Sequence, residues 1–412
     1  MPGPTIEIRV SQPTGTVSDD EPTFPPYDGP AVFSHGFRPF FLGAALFAAI
    51  AVPAWILILD NLISSNFLYA PREWHVHEML FGFLPAVMTG FLLTAVPNWT
   101  GRVPLRGAPL ASLWALWLAG RAVVAVPGPV PLIAAIVDAG FLVVVAGVIW
   151  REIAAANMWN RSPIVLLISL YACAHILFQA LALRGAATDI AERAAISVIL
   201  LLLTIIGGRV TPAFTADYLA ESRIPNRPAS FSRFDAVSML LVLIGALTWV
   251  VRPEAYVGGA LFVLAGLANL VRLSRWQGWT AWREPLVFIL HIGYGWVALS
   301  LLALGGAIFD VLPAANAVHV LTSGAVGTMT LAVMTRASLG HTGRPRHAGP
   351  PTTVIYGLVM LGAIVRVLTP TTDAPMGLSY LLLGMAALAW SGAYLLFVIV
   401  YGKMLISPSV EE

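Results

Sequence analysis

The chain has 412 residues, of which 58% are apolar and only 11% are charged, and its formal net charge is +2. Soluble domains carry about 25% charged residues, and the mean hydropathy of +0.82 is far above what a soluble surface allows. The composition excludes a soluble enzyme, a nucleic-acid-binding protein and a disordered chain. Long unbroken apolar segments exclude a transmembrane β-barrel and indicate an all-α polytopic membrane protein. The single cysteine, Cys173, excludes an intrachain disulfide.

The first 30 residues are rich in proline and acidic residues and lack the apolar core of a signal peptide, so we expect a disordered cytoplasmic arm. Beyond it, we expect residues 31–402 to form a single membrane domain and residues 403–412 a short cytoplasmic tail. Segments of about 20 apolar residues, the length that crosses a bilayer, occur twelve times in this domain. These predicted spans 1–12 cover residues 40–60, 76–97, 108–126, 130–150, 162–183, 193–213, 234–251, 256–272, 284–308, 314–337, 352–370 and 377–402.

The distribution of basic residues predicts the orientation of the spans. Of the 23 lysines and arginines, 17 lie in segments on the N-terminal side of the membrane and 4 in the opposite loops. Cytoplasmic loops carry the excess of positive charge. We therefore expect both termini in the cytoplasm and even-numbered spans that begin on the outer face.

An internal similarity relates two parts of the chain. The segment from span 2 to span 3 resembles the segment from span 10 to span 11 at a constant offset of 242 residues, which places His77 opposite His319 and Thr100-Gly101-Arg102 opposite Thr342-Gly343-Arg344. A weaker similarity links spans 5 and 9. The pattern suggests three four-helix units, a parallel repeat of the kind found in other membrane proteins. Such an arrangement resembles the main subunit of heme-copper oxidases at the level of the fold alone.

Ionisable residues within spans are costly and therefore point to function, and here most of them are histidines. His75, His77 and Glu78 begin span 2, His319 lies near the start of span 10, and His175 lies in the far half of span 5. With a helical rise of about 1.5 Å per residue, all five belong to one layer near the outer face.

A heme that is held by two imidazoles needs histidines on opposing helices at a similar depth. His77 and His319 meet this requirement by depth and by the internal similarity, so we predict that they ligate a heme b. Heme-copper oxidases likewise hold their low-spin heme from the second and tenth helices. Structural histidines at helix ends are the alternative.

The other residues at the start of span 2 suggest a copper site. His75 and His77 are two residues apart and point to different sides of a helix. His75 and Glu78 share a face, so they are predicted to bind copper with a third ligand such as His175. A polar belt beside Trp74 at the membrane interface is the alternative.

A second layer lies near the inner face. His35 precedes span 1, His291 lies one to two turns into span 9, and His341 follows span 10. They are further candidate metal ligands, with structural or solvated histidines as the alternative. Arg38 and Arg336 are candidates to bind heme propionates through charge-assisted hydrogen bonds, although the positive-inside rule also accounts for arginines there.

One acidic residue, Asp138, lies deep within a span. Arg121, on the preceding antiparallel helix, is predicted at a similar distance from the outer face. We therefore expect a structural ion pair within one helical hairpin, with a proton-relay carboxylate as the alternative.

Four segments resemble the NnrS family of bacterial membrane proteins. They are Gly36-Phe37-Arg38-Pro39-Phe40-Phe41, Trp74-His75-Val76-His77-Glu78-Met79, Gly208-Arg209-Val210-Thr211-Pro212-Ala213-Phe214-Thr215, and the segment from His319 to Arg344. The resemblance extends from about residue 33 to residue 402.

The resemblance implies a heme- and copper-containing inner-membrane protein that is associated with denitrification and with resistance to nitric oxide. The histidines that match the family's segments are His35, His75, His77, His319 and His341. The resemblance does not assign a particular metal to a particular histidine.

Three functions agree with these features. The first is nitric oxide handling, up to nitric oxide reduction, with catalytic candidates His75, Glu78 and His175 and with electrons from quinol or a periplasmic donor. The second is a proton-coupled transporter or a protein that handles metal or heme. The third is a sensor or accessory protein that binds nitric oxide without turnover.

Overall fold

The computed structural model describes residues 26–63, 67–126, 130–370 and 376–410. Within these ranges all regular structure is helical, and twelve helices are long and apolar enough to cross a membrane, which confirms the predicted fold class. The first 25 residues of the predicted arm lie outside the described residues. The helices α1–α12 are Phe37–Leu59, Pro71–Thr100, Ala108–Ala125, Pro131–Ala155, Trp159–Ala182, Asp189–Glu221, Arg233–Val251, Tyr256–Ser274, Pro285–Ile308, Ala314–Gly340, Pro350–Leu368 and Gly377–Ile406.

Local sequence signals explain where several helices begin and end. Proline occupies the first turn of α2, α4, α9 and α11, where its missing N–H costs no hydrogen bond. Ser232 and Asp235 form a reciprocal capping box at the start of α7, which satisfies two backbone N–H groups. At the end of α2, Gly101 adopts a φ of 66°, a left-handed conformation that glycine reaches without steric cost.

The helices pack mainly against their neighbours in the chain, and α12 returns to pack against α1. Three helices are mostly buried in their most apolar stretch: 78% of the residues in α2, 67% in α9 and 72% in α10. The corresponding share in α1 is 28%. The peripheral helices expose large apolar side chains such as Ile50, Ile136 and Leu247. This is the surface that a bilayer covers, because lipid solvates apolar side chains and offers no partner to polar ones.

Three of the helices contain a π-helical segment. The segments are Glu78–Phe83 in α2, Leu203–Gly207 in α6 and Val320–Val326 in α10. Such bulges are frequent at functional sites. The segments occur in every fourth helix, which agrees with a repeat unit of four helices, although the repeat itself stays a prediction.

The observed helices are longer than several predicted spans. Helix α6 continues to Glu221 and α12 to Ile406, so the membrane helix includes the first residues of the predicted tail. The residues after α12 pack against the domain. The Arg38 guanidinium donates to the carbonyl of Ser407 at 2.5 Å, and the Val410 N–H donates to the carbonyl of Thr342 at 3.1 Å.

Close packing of α11 on α12 depends on Gly362. A Cβ atom at this position would lie 2.7 Å from the backbone nitrogen of Trp390, whereas a Cβ at Gly357 on the same helix would meet nothing within 4 Å. We expect Gly362→Ala to lower the stability of the protein in SDS-titration unfolding, because the two helices must separate to admit the methyl group. The control Gly357→Ala should leave stability unchanged or raise it by up to about 1 kcal/mol through helix propensity. Equal effects of the two variants would contradict this packing.

Candidate metal centre

A cluster of buried polar side chains lies where α2, α3, α4 and α5 meet. Helix α2 contributes His77 and Glu78, α3 contributes Arg121, α4 contributes Asp138 and α5 contributes His175. Each is at most 9% exposed. These residues lie near the starts of even-numbered helices and near the ends of odd-numbered ones, so the cluster is closer to one face of the membrane than to the other.

Three potential ligand atoms converge at the centre of this cluster. The Nε2 atom of His77 lies 2.8 Å from Oδ2 of Asp138 and 3.0 Å from Nε2 of His175. The third side of the triangle, from His175 Nε2 to Asp138 Oδ2, is 3.0 Å. These three residues form a group that could hold a metal ion.

Neutral His77 cannot satisfy all of its contacts. Its Nδ1 atom lies 3.1 Å from Oε1 of Glu78, and its Nε2 atom lies 2.8 Å from Oδ2 of Asp138. A neutral imidazole carries a proton on only one nitrogen. Either tautomer therefore directs a lone pair at a carboxylate oxygen, and a bound cation or a further proton, on the ring or on that carboxylate, removes this repulsion.

The charges of the cluster lead to the same conclusion. Arg121 bridges the two carboxylates: its guanidinium donates to Oε2 of Glu78 at 2.5 Å and to Oδ1 of Asp138. With both carboxylates ionised and both histidines neutral, the net charge is −1. A buried charge without compensation is strongly unfavourable, so the cluster favours one further positive charge at its centre.

Two further residues orient the cluster from the side of α5 and the loop before α2. Burial raises the pKa of the Tyr69 phenol above its usual range, and the Asp138 carboxylate adds to the effect, so Tyr69 stays protonated. Its hydroxyl donates to Oε1 of Gln179, and this contact turns the Gln179 amide nitrogen toward Asp138 Oδ2, at 2.6 Å. The same amide nitrogen lies 3.2 Å from Nε2 of His175 and 3.4 Å from Nε2 of His77, so Tyr69 orients a Gln179 donor toward all three atoms of the triangle.

Aromatic rings enclose the two histidines. The ring of His175 stacks on Phe81 with a centroid distance of 4.4 Å, and His77 packs against Phe81, Phe178 and Tyr69. His77 is 0% and His175 1% exposed. The enclosure lowers the local dielectric constant, which strengthens every charge interaction in the cluster.

The geometry fits a small metal ion. A metal about 2.0–2.2 Å from imidazole nitrogens and a carboxylate oxygen places neighbouring ligand atoms about 3 Å apart, as observed here. Glu78 behind His77 Nδ1 completes the carboxylate–histidine–metal pattern that orients metal ligands. Nitrogen and oxygen donors of this kind suit copper, and two histidines with one carboxylate also suit non-heme iron.

A heme between His77 and His175 does not fit. Axial nitrogens on opposite sides of an iron are separated by roughly 4 Å if each bond is about 2 Å long, whereas these two nitrogens lie 3.0 Å apart.

The residues that the sequence predicts for the outer layer do not all lie together in the structure. His77 and His175 meet Asp138, as described, but His75 turns away and stacks on Trp55 with a centroid distance of 4.7 Å. Glu78 contacts His77 and Arg121. The structure thus brings His175 together with His77 and Asp138, whereas the predicted copper ligation by His75, Glu78 and His175 stays a prediction.

His319 lies in a separate polar group near the same membrane face. Its Nδ1 atom is 2.7 Å from the carbonyl of Ala315 and 3.2 Å from the Arg366 guanidinium. The predicted heme ligation by His77 and His319 stays a prediction, and it would require His77 Nε2 to leave Asp138.

The predicted inner layer is divided among three places. His35 and His341 both contact the Phe37 ring. The Arg38 guanidinium donates to the carbonyls of Met404, Leu405 and Ser407 and to the Ser409 hydroxyl, and that of Arg336 lies 3.9 Å from the centroid of the Phe214 ring. His291 contacts Thr215 and is at most 6% exposed.

The predicted ion pair of Arg121 with Asp138 is confirmed. Gln179 and Tyr69 are parts of the site that the sequence did not predict. Gln179 follows His175 by four residues, which places both on one helical face, and this spacing is a signal that the sequence contains. Tyr69 lies in a loop, and no sequence pattern connects it to α4 or α5.

Comparison with known proteins identifies the family. The sequence profile described as NnrS protein matches residues 31–409, which is nearly the whole chain. The chain belongs to the NnrS family. No curated protein matches it. NnrS membership links the chain to nitric oxide and agrees with a metal-associated role for the histidine and aspartate cluster.

Removal of Arg121 should destabilise the protein strongly. Arg121→Ala leaves Glu78 and Asp138 without their shared cation, and the loss of one partner from a buried ion pair costs about 3–5 kcal/mol. The control Arg151→Ala removes an exposed arginine of α4 that pairs with Glu152 at the surface, which is worth at most about 1 kcal/mol. SDS-titration unfolding of both variants measures the difference.

A second substitution checks the cause. Glu78→Gln in the Arg121→Ala background removes one of the two unpaired carboxylates and should restore part of the lost stability. Similar losses for Arg121→Ala and Arg151→Ala, or no restoration in the double variant, would contradict the charge balance described above.

Proposed function

We propose that this NnrS protein is a bacterial inner-membrane protein that handles nitric oxide at a copper centre held by His77, Asp138 and His175. The observation that carries the proposal is the triangle of two imidazole nitrogens and one carboxylate oxygen with sides of 2.8–3.0 Å. Copper is an ion that this donor set suits. As Cu(I) it neutralises the net charge of −1, and in either oxidation state it removes the lone-pair repulsion at His77.

Copper in such a site supplies a redox-active ion that binds small diatomic ligands. The protein's own residues bind and orient: Glu78 fixes the ring of His77 through Nδ1, while Arg121 and Gln179 fix the two oxygens of Asp138. The aromatic enclosure by Phe81, Phe178 and Tyr69 excludes water. Nitric oxide is a small, uncharged molecule that partitions into apolar surroundings, so a buried site among apolar helices remains accessible to it.

Heme b belongs to the proposal as a second cofactor. The support for it is the resemblance to the NnrS family and the presence of further histidines, His75 and His319, near the same membrane face. Quinol or a periplasmic protein is the proposed source of electrons. The positive-inside bias supports an orientation with both termini in the cytoplasm.

A proton-coupled transporter is the second candidate function, and the same cluster favours it. A second proton on His77, in place of the metal, would also remove the lone-pair repulsion and neutralise the net charge. The two candidates differ in one measurable property, which is the metal content of the purified protein.

Elemental analysis of the detergent-purified full chain tests the proposal. We expect about one copper per chain in the wild type and a loss of at least tenfold in His77→Gln, His175→Gln and Asp138→Asn, because each removes a ligand. His347→Gln is the matched control, since this histidine is exposed and pairs with Glu284. Size-exclusion chromatography of each variant confirms that it is folded. Iron or zinc in place of copper, no metal, or equal copper in all variants would overturn the copper assignment, and no metal would favour the transporter.

Nitric oxide consumption separates turnover from binding alone. With an artificial electron donor, we expect the copper-loaded protein to consume nitric oxide steadily and His175→Gln to lose this activity, while His347→Gln retains it. An electrode that records nitric oxide measures both rates. A single stoichiometric uptake without further consumption would identify a sensor or accessory protein instead.

A further inference from the structure

A cavity of about 510 Å³ opens where the end of α2, the start of α3 and the end of α4 meet. These helix ends lie at the membrane face opposite the metal centre, which is formed near the start of α2 and the end of α3. Trp159, which begins α5 shortly after α4 ends, is 55% exposed. Exposed tryptophans mark the interface between lipid and water, so the cavity lies at that level of the membrane.

The inner wall of the cavity is apolar. Leu93 and Val96 of α2 and Ile149 of α4 line it, and each is at most 4% exposed. Val148 of α4 also lines the cavity, and Val144, one turn further into the membrane on the same helical face, is 45% exposed. The apolar wall is therefore continuous with the surface of α4 that faces lipid.

The rim of the cavity is basic. Three arginines and one glutamate contribute to it, which gives three positive charges against one negative charge, or a net charge of +2: Arg102, Arg106, Arg151 and Glu152. The Arg102 Nε donates to Oε2 of Glu152 at 2.6 Å, and Arg151 donates to Oε1 at 2.7 Å. One carboxylate is thus shared by two guanidinium groups, and the excess of positive charge is left without an acidic partner.

The guanidinium groups at the rim remain open to a further acceptor. Among the described residues, Arg102 makes side-chain hydrogen bonds through Nε alone, which leaves its two terminal nitrogens for another acceptor. The side chains of Arg102 and Arg151 are 46% and 64% exposed, so an acceptor reaches both from the cavity mouth. Guanidinium groups donate in pairs to the oxygens of phosphate, which makes a phosphate group a suitable acceptor here.

A similar loop elsewhere in the chain meets an anionic group of the protein itself. Residues 342–349 resemble residues 100–107 at the offset of 242 residues. In that second loop, the Ala348 N–H donates to Oε1 of Glu284 at 3.0 Å. The position of Ala348 corresponds to Arg106 in the first loop, which offers an open cavity and an excess of arginine instead.

We propose that this cavity binds an anionic phospholipid, with its phosphate at the arginines of the rim and an acyl chain along the apolar wall. Basic pockets between membrane helices are suited to anionic head groups. The wall distinguishes a lipid from a free phosphate ion, which gains nothing from apolar contacts. A zwitterionic lipid carries the same phosphate without net negative charge, so the net charge of the rim favours the anionic lipid. The site is independent of the metal centre and of the proposed function.

Native mass spectrometry of the detergent-purified full chain tests this inference by counting bound dioleoylphosphatidylglycerol or dioleoylphosphatidylcholine during a titration. We expect the wild type to bind the first phosphatidylglycerol about tenfold more tightly than phosphatidylcholine, because two net charges act on it. Arg102→Gln/Arg151→Gln should lose most of this preference. Glu152→Gln should raise the preference by about fivefold, since it removes the competing carboxylate, and a gain of this kind does not arise from misfolding.

Arg344→Gln/Arg346→Gln is the matched control, because it removes two arginines from the corresponding loop at the same membrane face, and it should retain the preference. Equal affinity of the wild type for the two lipids, or equal losses in the two double variants, would overturn the inference. Inorganic phosphate is the competitor that separates a lipid from a free anion. Displacement of phosphatidylglycerol by an equal concentration of inorganic phosphate would show that the acyl chain contributes nothing, and would overturn the lipid assignment.

Discussion

The structure near one membrane face depends on a single electrostatic constraint: two carboxylates are buried among apolar helices with one guanidinium to balance them. Arg121 reaches both Glu78 and Asp138, and the remaining negative charge faces two imidazole nitrogens. Because the surrounding helices and lipid offer no water to solvate this charge, a metal ion at the centre or a second proton on His77 would satisfy these side chains together. The proposed metal site therefore rests on the charge balance as much as on the identity of the ligands.

The fold supplies this constraint through several helices rather than one. Helix α2 places His77 directly before its π-helical segment. Gly82 in that segment leaves room for the Arg121 guanidinium, because a Cβ atom on residue 82 would clash with it. On α5, the spacing of four residues between His175 and Gln179 turns both toward Asp138. A site assembled from separate rigid helices holds its ligands more precisely than a loop does.

Much of the architecture could be predicted from sequence, because a bilayer imposes a length and an apolar composition on each span. The sequence predicts all twelve helices. It also predicts the pairing of Arg121 with Asp138, because two residues at equal depth in one helical hairpin are neighbours whatever the rest of the fold is. The cluster as a whole could not be predicted. It requires α2 and α5 to pack against α4, and depth along a helix does not determine which neighbour a side chain faces.

The heme ligation predicted for His77 and His319 stays a prediction. Equivalent positions in a repeat share a depth, but the side chains point toward different neighbours unless they lie near the axis that relates the units. His77 faces Asp138 and His175, and His319 faces Arg366. His75 and His77 show the same effect within one helix. Because they are two residues apart, they lie on different sides of α2: His75 stacks on Trp55, and His77 lies in the cluster.

The most direct test of the copper centre counts the nitrogens that bind the metal. Pulsed electron paramagnetic resonance of the protein loaded with one equivalent of Cu(II) resolves the remote nitrogens of coordinated imidazoles. We expect two imidazoles in the wild type, one in His175→Gln, and two in the control variant His75→Gln. Two imidazoles that persist in His175→Gln, or a loss of one imidazole in His75→Gln, would contradict the assignment of His77, Asp138 and His175 as the metal site.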